Sequence, residues 1–254
     1  MEDGGGRTET VGSQLNPVHI SIPGLGQFLS DYPLMAYRPR TGKPPVLRGR
    51  FRFTARHHEA GEIEDEFELE IEIPPAFPKE VPPVTETGGR IPKKADFHVN
   101  EADGSLCLGS PLRLLHLLSQ KPTLIGFADK CLVPYLFAQS QKLAGRESFA
   151  FGELTHGLPG MLDDYVALFG LKDIRQAVEA VRLLGMKKRR ANKAKCPCGC
   201  SDRLGRCEFN AKLREFRAVA DRPWYRAQHR AIVEIEKLNA ARAKSARPPV
   251  YTNA

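Results

Sequence analysis

FHVNEADGSLCLGSP, from Phe97 to Pro111, sets a His-x-Asn tripeptide, a turn and a leucine-flanked cysteine within a few residues of one another. Just upstream, Glu68 to Val84 reads ELEIEIPPAFPKEVPPV, an alternating strand running into a proline-rich crossing. The alternation extends outward on both sides. Phe67, Leu69, Ile71 and Ile73 fall on one face of a strand, with Glu66, Glu68, Glu70 and Glu72 on the other. Before it, Val46 to His57 puts Phe51, Phe53 and Ala55 on one face and Arg50, Arg52 and Arg56 on the other. Strict period two marks half-buried strands with one wet face. A basic strand and an acidic one, joined through a short connection containing Gly61, should pair as an antiparallel hairpin with opposite charges opposed. Pro74, Pro75, Pro78, Pro82 and Pro83 forbid a regular central strand next, and Val84 to Thr87 is a further short strand.

Beyond the cysteine the period changes. Pro122 opens a helix whose broad apolar face carries Leu124, Phe127, Ala128, Cys131, Leu132, Tyr135 and Leu136. Met161 to Met186 reads as one or two amphipathic helices broken at Gly170, and Tyr225 to Lys244 as a basic helix ended by Pro248 and Pro249. Gly26 to Met35 is expected to be a short helical or irregular entry. Strands first and helices afterwards make the fold class α+β.

Charge is unevenly spread. The chain carries a net +8, yet Lys187 to the C-terminus holds 18 Lys/Arg against 6 Asp/Glu, or +12, leaving −4 for the remainder. Such asymmetry points to a basic segment with its own partner, nucleic acid or an acidic protein face, or to a solvated basic helix. No apolar run is long enough to span a bilayer, and MEDGGGRTETVGSQ has no apolar signal region, so no membrane contact and a cytoplasmic location are expected. Six cysteines in that setting suggest reactive or metal-bound thiols, not disulfides.

The order strand, Phe77-Pro78, Pro83-Val84, His-x-Asn, turn, cysteine resembles the ubiquitin-conjugating enzyme family. The resemblance implies a UBC-like antiparallel meander sheet flanked by helices. It also implies a cysteine acyltransferase activity: Cys107 accepts a ubiquitin-like protein as a thioester from an activating enzyme and passes it to an amine of a protein substrate. On the same grounds Asn100 matches the asparagine that steadies the oxyanion, and His98 a histidine that hydrogen-bonds the loop. Gly104 would make the turn between them, and Leu106 and Leu108 would anchor the cysteine strand. Val99 stands where the family has proline, the spacing from Asn100 to Cys107 is one residue short, and Gly109 replaces a common acidic residue. These departures resemble a divergent bacterial branch, which implies an antiphage-defence setting. The second reading is a non-catalytic UBC-like adaptor in which Cys107 only packs. Cys131, inside the apolar helix face, is a core residue. His116 and His156 could approach the groove, but each is of a type more often found at the surface or with a satisfied partner.

KCPCGCSDRLGRCEF gathers Cys196, Cys198, Cys200 and Cys207, four thiols with the glycine and proline needed to fold around one ion. The residue types suit structural zinc; a cluster of free redox-active thiols is the other reading. The Cys-Pro-Cys-Gly opening is similar to the SEC-C zinc motif, except that Glu208 follows Cys207 where that motif has a last ligand, and Cys200 stands as its substitute. A knuckle this short has almost no core of its own, so metal would supply its folding energy. With the basic flanks, Trp224-Tyr225 would offer aromatic faces to a nucleic acid, making a zinc-dependent nucleic-acid-binding protein a third reading. The expected division is a flexible leader over 1–20, a UBC-like domain over 21–186, a basic linker and zinc knuckle over 187–210, and a basic helix and tail over 211–254.

Overall fold

Alternation of apolar and charged residues builds the sheet. In the computed structural model, which describes residues 21–58, 61–146 and 157–245, β1 spans Met35–Arg40, β2 Lys43–His57, β3 Gly61–Glu72 and β4 Val84–Glu86. They form one antiparallel meander in the order β1-β2-β3-β4. The hairpin of β2 and β3 is continuous from Val46↔Glu72 to His57↔Gly61. Phe51, Phe53, Phe67, Leu69 and Ile71 are buried on its inner face. On the outer face Arg48↔Glu70, Arg50↔Glu68, Arg52↔Glu66 and Arg56↔Glu62 are direct partners in register. Exposed pairs of this kind contribute at most about 1 kcal/mol each, so they fix register and solvation more than stability. A slip of one residue would turn the whole charged row inward.

β1 was not expected from the pattern. It is a six-residue edge strand containing Pro39, and its pairing with β2 shifts register between Arg38 and Arg40. Proline is tolerated only at such an edge or bulge.

The inner face of the sheet is covered by α1 (Leu25–Asp31), α2 (Pro111–Gln120), α3 (Leu124–Phe127), a π-helical turn (Ala128–Leu132) and α4 (Val133–Leu143). A second core is helical, built from α5 (Gly157–Phe169), α6 (Ile174–Leu184), α7 (Lys188–Ala191), α8 (Phe209–Val219) and α9 (Arg222–Ser245). Helix α2 belongs to both: Leu114 and Leu118 face the first core, Leu112 the second. Ser110 caps α2 and Pro111 opens it. The buried Asp164 of α5 accepts hydrogen bonds from the Ser110 hydroxyl and the Arg113 guanidinium, bolting the start of α2 to the helical core.

Packing does not divide at Lys187. The second core runs from Leu162 through Ala191, Cys196 and Leu204 to Tyr225 and Ile232, so the segments 187–210 and 211–254 share one interior with α5 and α6. Among the described residues no helix is long and apolar enough to cross a membrane. The expected leader over 1–20, His156, Pro248 and Pro249 lie outside the described residues.

Candidate functional site

Cys107 sits at the end of a tight hairpin that follows the sheet. Val99 bridges Leu106, the Asn100 N–H donates to Ser105 O at 2.8 Å, and the Cys107 N–H donates to His98 O at 2.7 Å. Gly104, at φ +74°, closes the turn and donates its N–H to Asn100 O at 2.7 Å. A left-handed residue is required there, and glycine adopts it without steric cost. The hairpin is fastened to β4 by Leu106 N–H to Val84 O at 2.8 Å. Val99 and Leu106 are buried, so the pleat turns His98, Asn100, Ser105 and Cys107 to the opposite face.

Cys107 is exposed. Asn100 is exposed too and occupies a diagonal position across the hairpin from it, a spacing of about 7–8 Å between backbones. The Asn100 Oδ1 accepts from the Ala102 N–H at 3.2 Å, which fixes one end of the carboxamide. His98 is the one non-glycine residue at positive φ among those described, at 50°. It turns the chain from a short 3₁₀ segment, Ala95–Phe97, into the hairpin.

Tyr135, expected only as part of an apolar helix face, and Gln139, which the sequence reading passed over, hold this turn. The Tyr135 hydroxyl donates to Phe97 O at 2.9 Å and to His98 O at 3.4 Å; Gln139 Nε2 donates to Phe97 O at 2.9 Å. Both lie on α4, where hydrogen-bonding side chains among the buried positions were the available signal. Burial, and secondarily the charge of a nearby Cys107 thiolate, push the Tyr135 phenol far above its ordinary value, so it stays a donor. Glu86, buried at the end of β4, accepts from the Gly88 and Gly89 N–H groups and so fixes the loop beside the hairpin. His116 takes no part: its ring lies 5.2 Å from that of Phe216, against the second core. Cys131 is buried, and its thiol is pushed up to about 12 by that burial.

The other cysteines converge. The ligand atoms of Cys196, Cys198, Cys200 and Cys207 all lie within 4.8 Å of one another. Cys196 Sγ is 3.2 Å from Cys198 Sγ, which is 3.6 Å from Cys207 Sγ. Four thiolates at about 2.3 Å from one ion stand about 3.8 Å apart, so the set fits a tetrahedral metal with small adjustments. Gly199 turns the backbone at φ +85°, and the Phe209 N–H points at Cys207 Sγ from 3.4 Å. Burial opposes ionisation of Cys198, but the Cys200 N–H and the three neighbouring thiols outweigh it and bring its thiol down to about 7. The cluster could hold a metal ion. It is not coreless, as its brevity suggested, since Cys196 and Leu204 are buried in the helical core.

Tyr225 corrects another expectation. It is fully buried and donates its hydroxyl to Phe216 O at 2.5 Å, so it offers no face to a base.

Comparison of the chain with protein-family models, with curated proteins and with solved structures finds no match.

Proposed function

We propose that this protein is a cysteine acyltransferase of the ubiquitin-conjugating type, with Cys107 as the nucleophile. The observation that carries the reading is an exposed thiol at the end of a rigidly held hairpin, with a carboxamide on the same face. The Cys107 thiolate attacks the C-terminal carbonyl carbon of a ubiquitin-like protein held as a thioester on an activating enzyme. The tetrahedral oxyanion collapses, a new thioester forms, and the activating enzyme's thiolate leaves. A lysine amine of the target then attacks; the Cys107 thiolate departs, the amine loses its proton, and an amide remains. Asn100 is the donor for the oxyanion, its Oδ1 anchored on Ala102 so that the NH₂ end is the part left to turn toward the reaction. His98, Tyr135 and Gln139 position the turn. Zinc at Cys196, Cys198, Cys200 and Cys207 is structural, a closed four-sulfur site distant in sequence from the reacting thiol.

The test uses the full chain with ATP, an activating enzyme and a ubiquitin-like protein as probe. A reductant-sensitive adduct should form, and Cys107→Ser should replace it with a reductant-resistant one. Asn100→Ala should slow transfer to free lysine by about 10²–10³. An adduct that persists in Cys107→Ala overturns the assignment. Binding of the ubiquitin-like protein with no adduct in any variant would favour the adaptor reading instead.

A further inference from the structure

Two groups of cations contrast. The arginines of the sheet are, with the exception of Arg38, neutralised: Arg40, Arg48, Arg50, Arg52 and Arg56 each pair with a glutamate of β3. Those between Lys187 and Arg206 are not. That stretch holds eight Lys/Arg and a single acidic residue, Asp202. All eight are exposed, and none makes an ion pair among the described residues.

Part of this surface is concave. Lys187 and Lys188 line an open groove of about 500 Å³ together with Arg217, Arg222, Asp221 and Leu184. Arg217 is held in the lining by its guanidinium, which donates to the carbonyls of Leu183 and Leu184 at the end of α6 and of Met186 just beyond it. The charge is therefore fixed in place, and Lys187, Lys188 and Arg222 stand around it with no carboxylate salt bridge. Asp221 is engaged with the Trp224 N–H at 2.8 Å.

From this arrangement we infer that the groove and the adjoining α7 surface bind the phosphate backbone of a nucleic-acid duplex, without reading its bases. An acidic protein fits less well. Protein interfaces draw their energy from apolar and aromatic anchors and are depleted in lysine. The large exposed apolar side chains among the described residues are Leu34, Leu143, Ile235 and Leu238, none of them in this groove. A single strand also fits less well, because strand binding leans on stacking: Tyr225 is buried, and the half-buried Trp224 does not line the groove. Unpaired cations in an open groove are what backbone contacts need.

The experiment measures binding of the zinc-loaded full chain to a fluorescent 20-base-pair DNA duplex and to its RNA counterpart across a salt series. Affinity should fall steeply with salt. Lys187→Gln combined with Lys188→Gln and Arg222→Gln should flatten the slope of log K against log[salt] by about 3 × 0.9. At 0.15 M salt that corresponds to roughly a hundredfold weaker binding. The sheet variant Arg48→Gln with Arg52→Gln and Arg56→Gln should bind as the parent does, since none of these arginines lines the groove and each is paired with a glutamate. Cys107→Ser should also bind fully, which separates this site from the thioester chemistry. Equal melting temperature and zinc content in the groove variant exclude misfolding as the cause. Absence of duplex binding, an unchanged slope in the groove variant, or binding confined to phosphatidylserine vesicles overturns the inference.

Discussion

Replacing Asp164 with alanine should destabilise the protein by about 3 kcal/mol. The carboxylate is 2% exposed and accepts from the Ser110 hydroxyl, from Arg113 Nε at 2.7 Å and from Arg113 Nη2. Breaking a buried ion pair by removing one partner costs about 3–5 kcal/mol, because the other charge is left without compensation. Here the Arg113 side chain is 38% exposed and can rehydrate, which places the effect at the lower end. About 3 kcal/mol is roughly two powers of ten in the folding constant. Denaturant unfolding would be followed by far-ultraviolet circular dichroism and by the fluorescence of Trp224, the chain's one tryptophan. Both signals should move to lower denaturant, since α2 contributes side chains to both cores. Arg113→Met combined with Asp164→Leu should recover most of the loss, as apolar replacements of buried pairs commonly do. A loss below about 1 kcal/mol, or strict additivity in the double-mutant cycle, would refute the account of Asp164 as the bolt between the cores.

Thiol counting tests the cysteine environments. With metal bound, one equivalent of iodoacetamide should enter the native chain, at Cys107, and chelation should raise the count to four as Cys198, Cys200 and Cys207 are freed; native labelling of Cys131 or Cys196 would contradict their burial. Metal removal tests the knuckle. At free metal about a thousandfold above Kd, loss of the ion removes about 4 kcal/mol. Cys198→Ser should therefore lower Tm by roughly 10 °C, and an unchanged melt would exclude a structural ion. Acid tests Asp65. Burial disfavours its charge, but hydrogen bonds from Arg90, Ser140 and the Glu66 N–H win and hold its carboxyl below the ordinary value. A depressed carboxylate gives stability that is present above the unfolded value of about 3.9 and lost as pH falls through the lower folded one. Asp65→Asn should reduce the acid sensitivity below about pH 4; an identical acid profile would show that the pairing is without effect.

How much of this was legible depended on whether a segment faces one interior or two. β2 and β3 each have one dry and one wet face, so Phe51, Phe67 and Leu69 declared themselves by alternation, and the arginine–glutamate rows gave the register. Helix α2 did not. Its leucines turn to opposite cores, Leu112 one way and Leu114 and Leu118 the other, so no single apolar stripe exists to be read. Ser110 followed by Pro111 is a helix-start signal that could have located it. The π-helical turn at Ala128–Leu132 hides because Ala128, Cys131 and Leu132 continue the buried apolar face of the helices on either side, while Asp129 and Lys130 stay on the wet face. At Lys187 the composition changes only on the solvent side. Ala191, Cys196 and Leu204 continue inward, so a charge boundary was mistaken for a packing boundary. The site divides in the same way. His98, Asn100, Gly104 and Cys107 are close in sequence and were visible together; Tyr135 and Gln139 reach the turn from a distant helix.

The position of Cys107 is set from three directions at once. From the sheet, Leu106 is tied to Val84 of β4. From α4, Tyr135 and Gln139 hold the carbonyls on the opposite strand of the hairpin. From the helical core, Asp164 holds Ser110, three residues beyond the sulfur. Between Cys107 and Ser110 the chain passes through Leu108, which packs on the first core, and Gly109 at φ +150°, a backbone conformation that residues with a side chain rarely adopt. A reactive thiol needs exposure, and exposure ordinarily brings mobility, which blurs the geometry of transfer. Here the sulfur is open to solvent while the backbone on either side is tied to separate interiors. The helical core and its four-cysteine cluster therefore bear on the site through α2, although no cysteine of the cluster lies within eighty residues of Cys107 in the sequence.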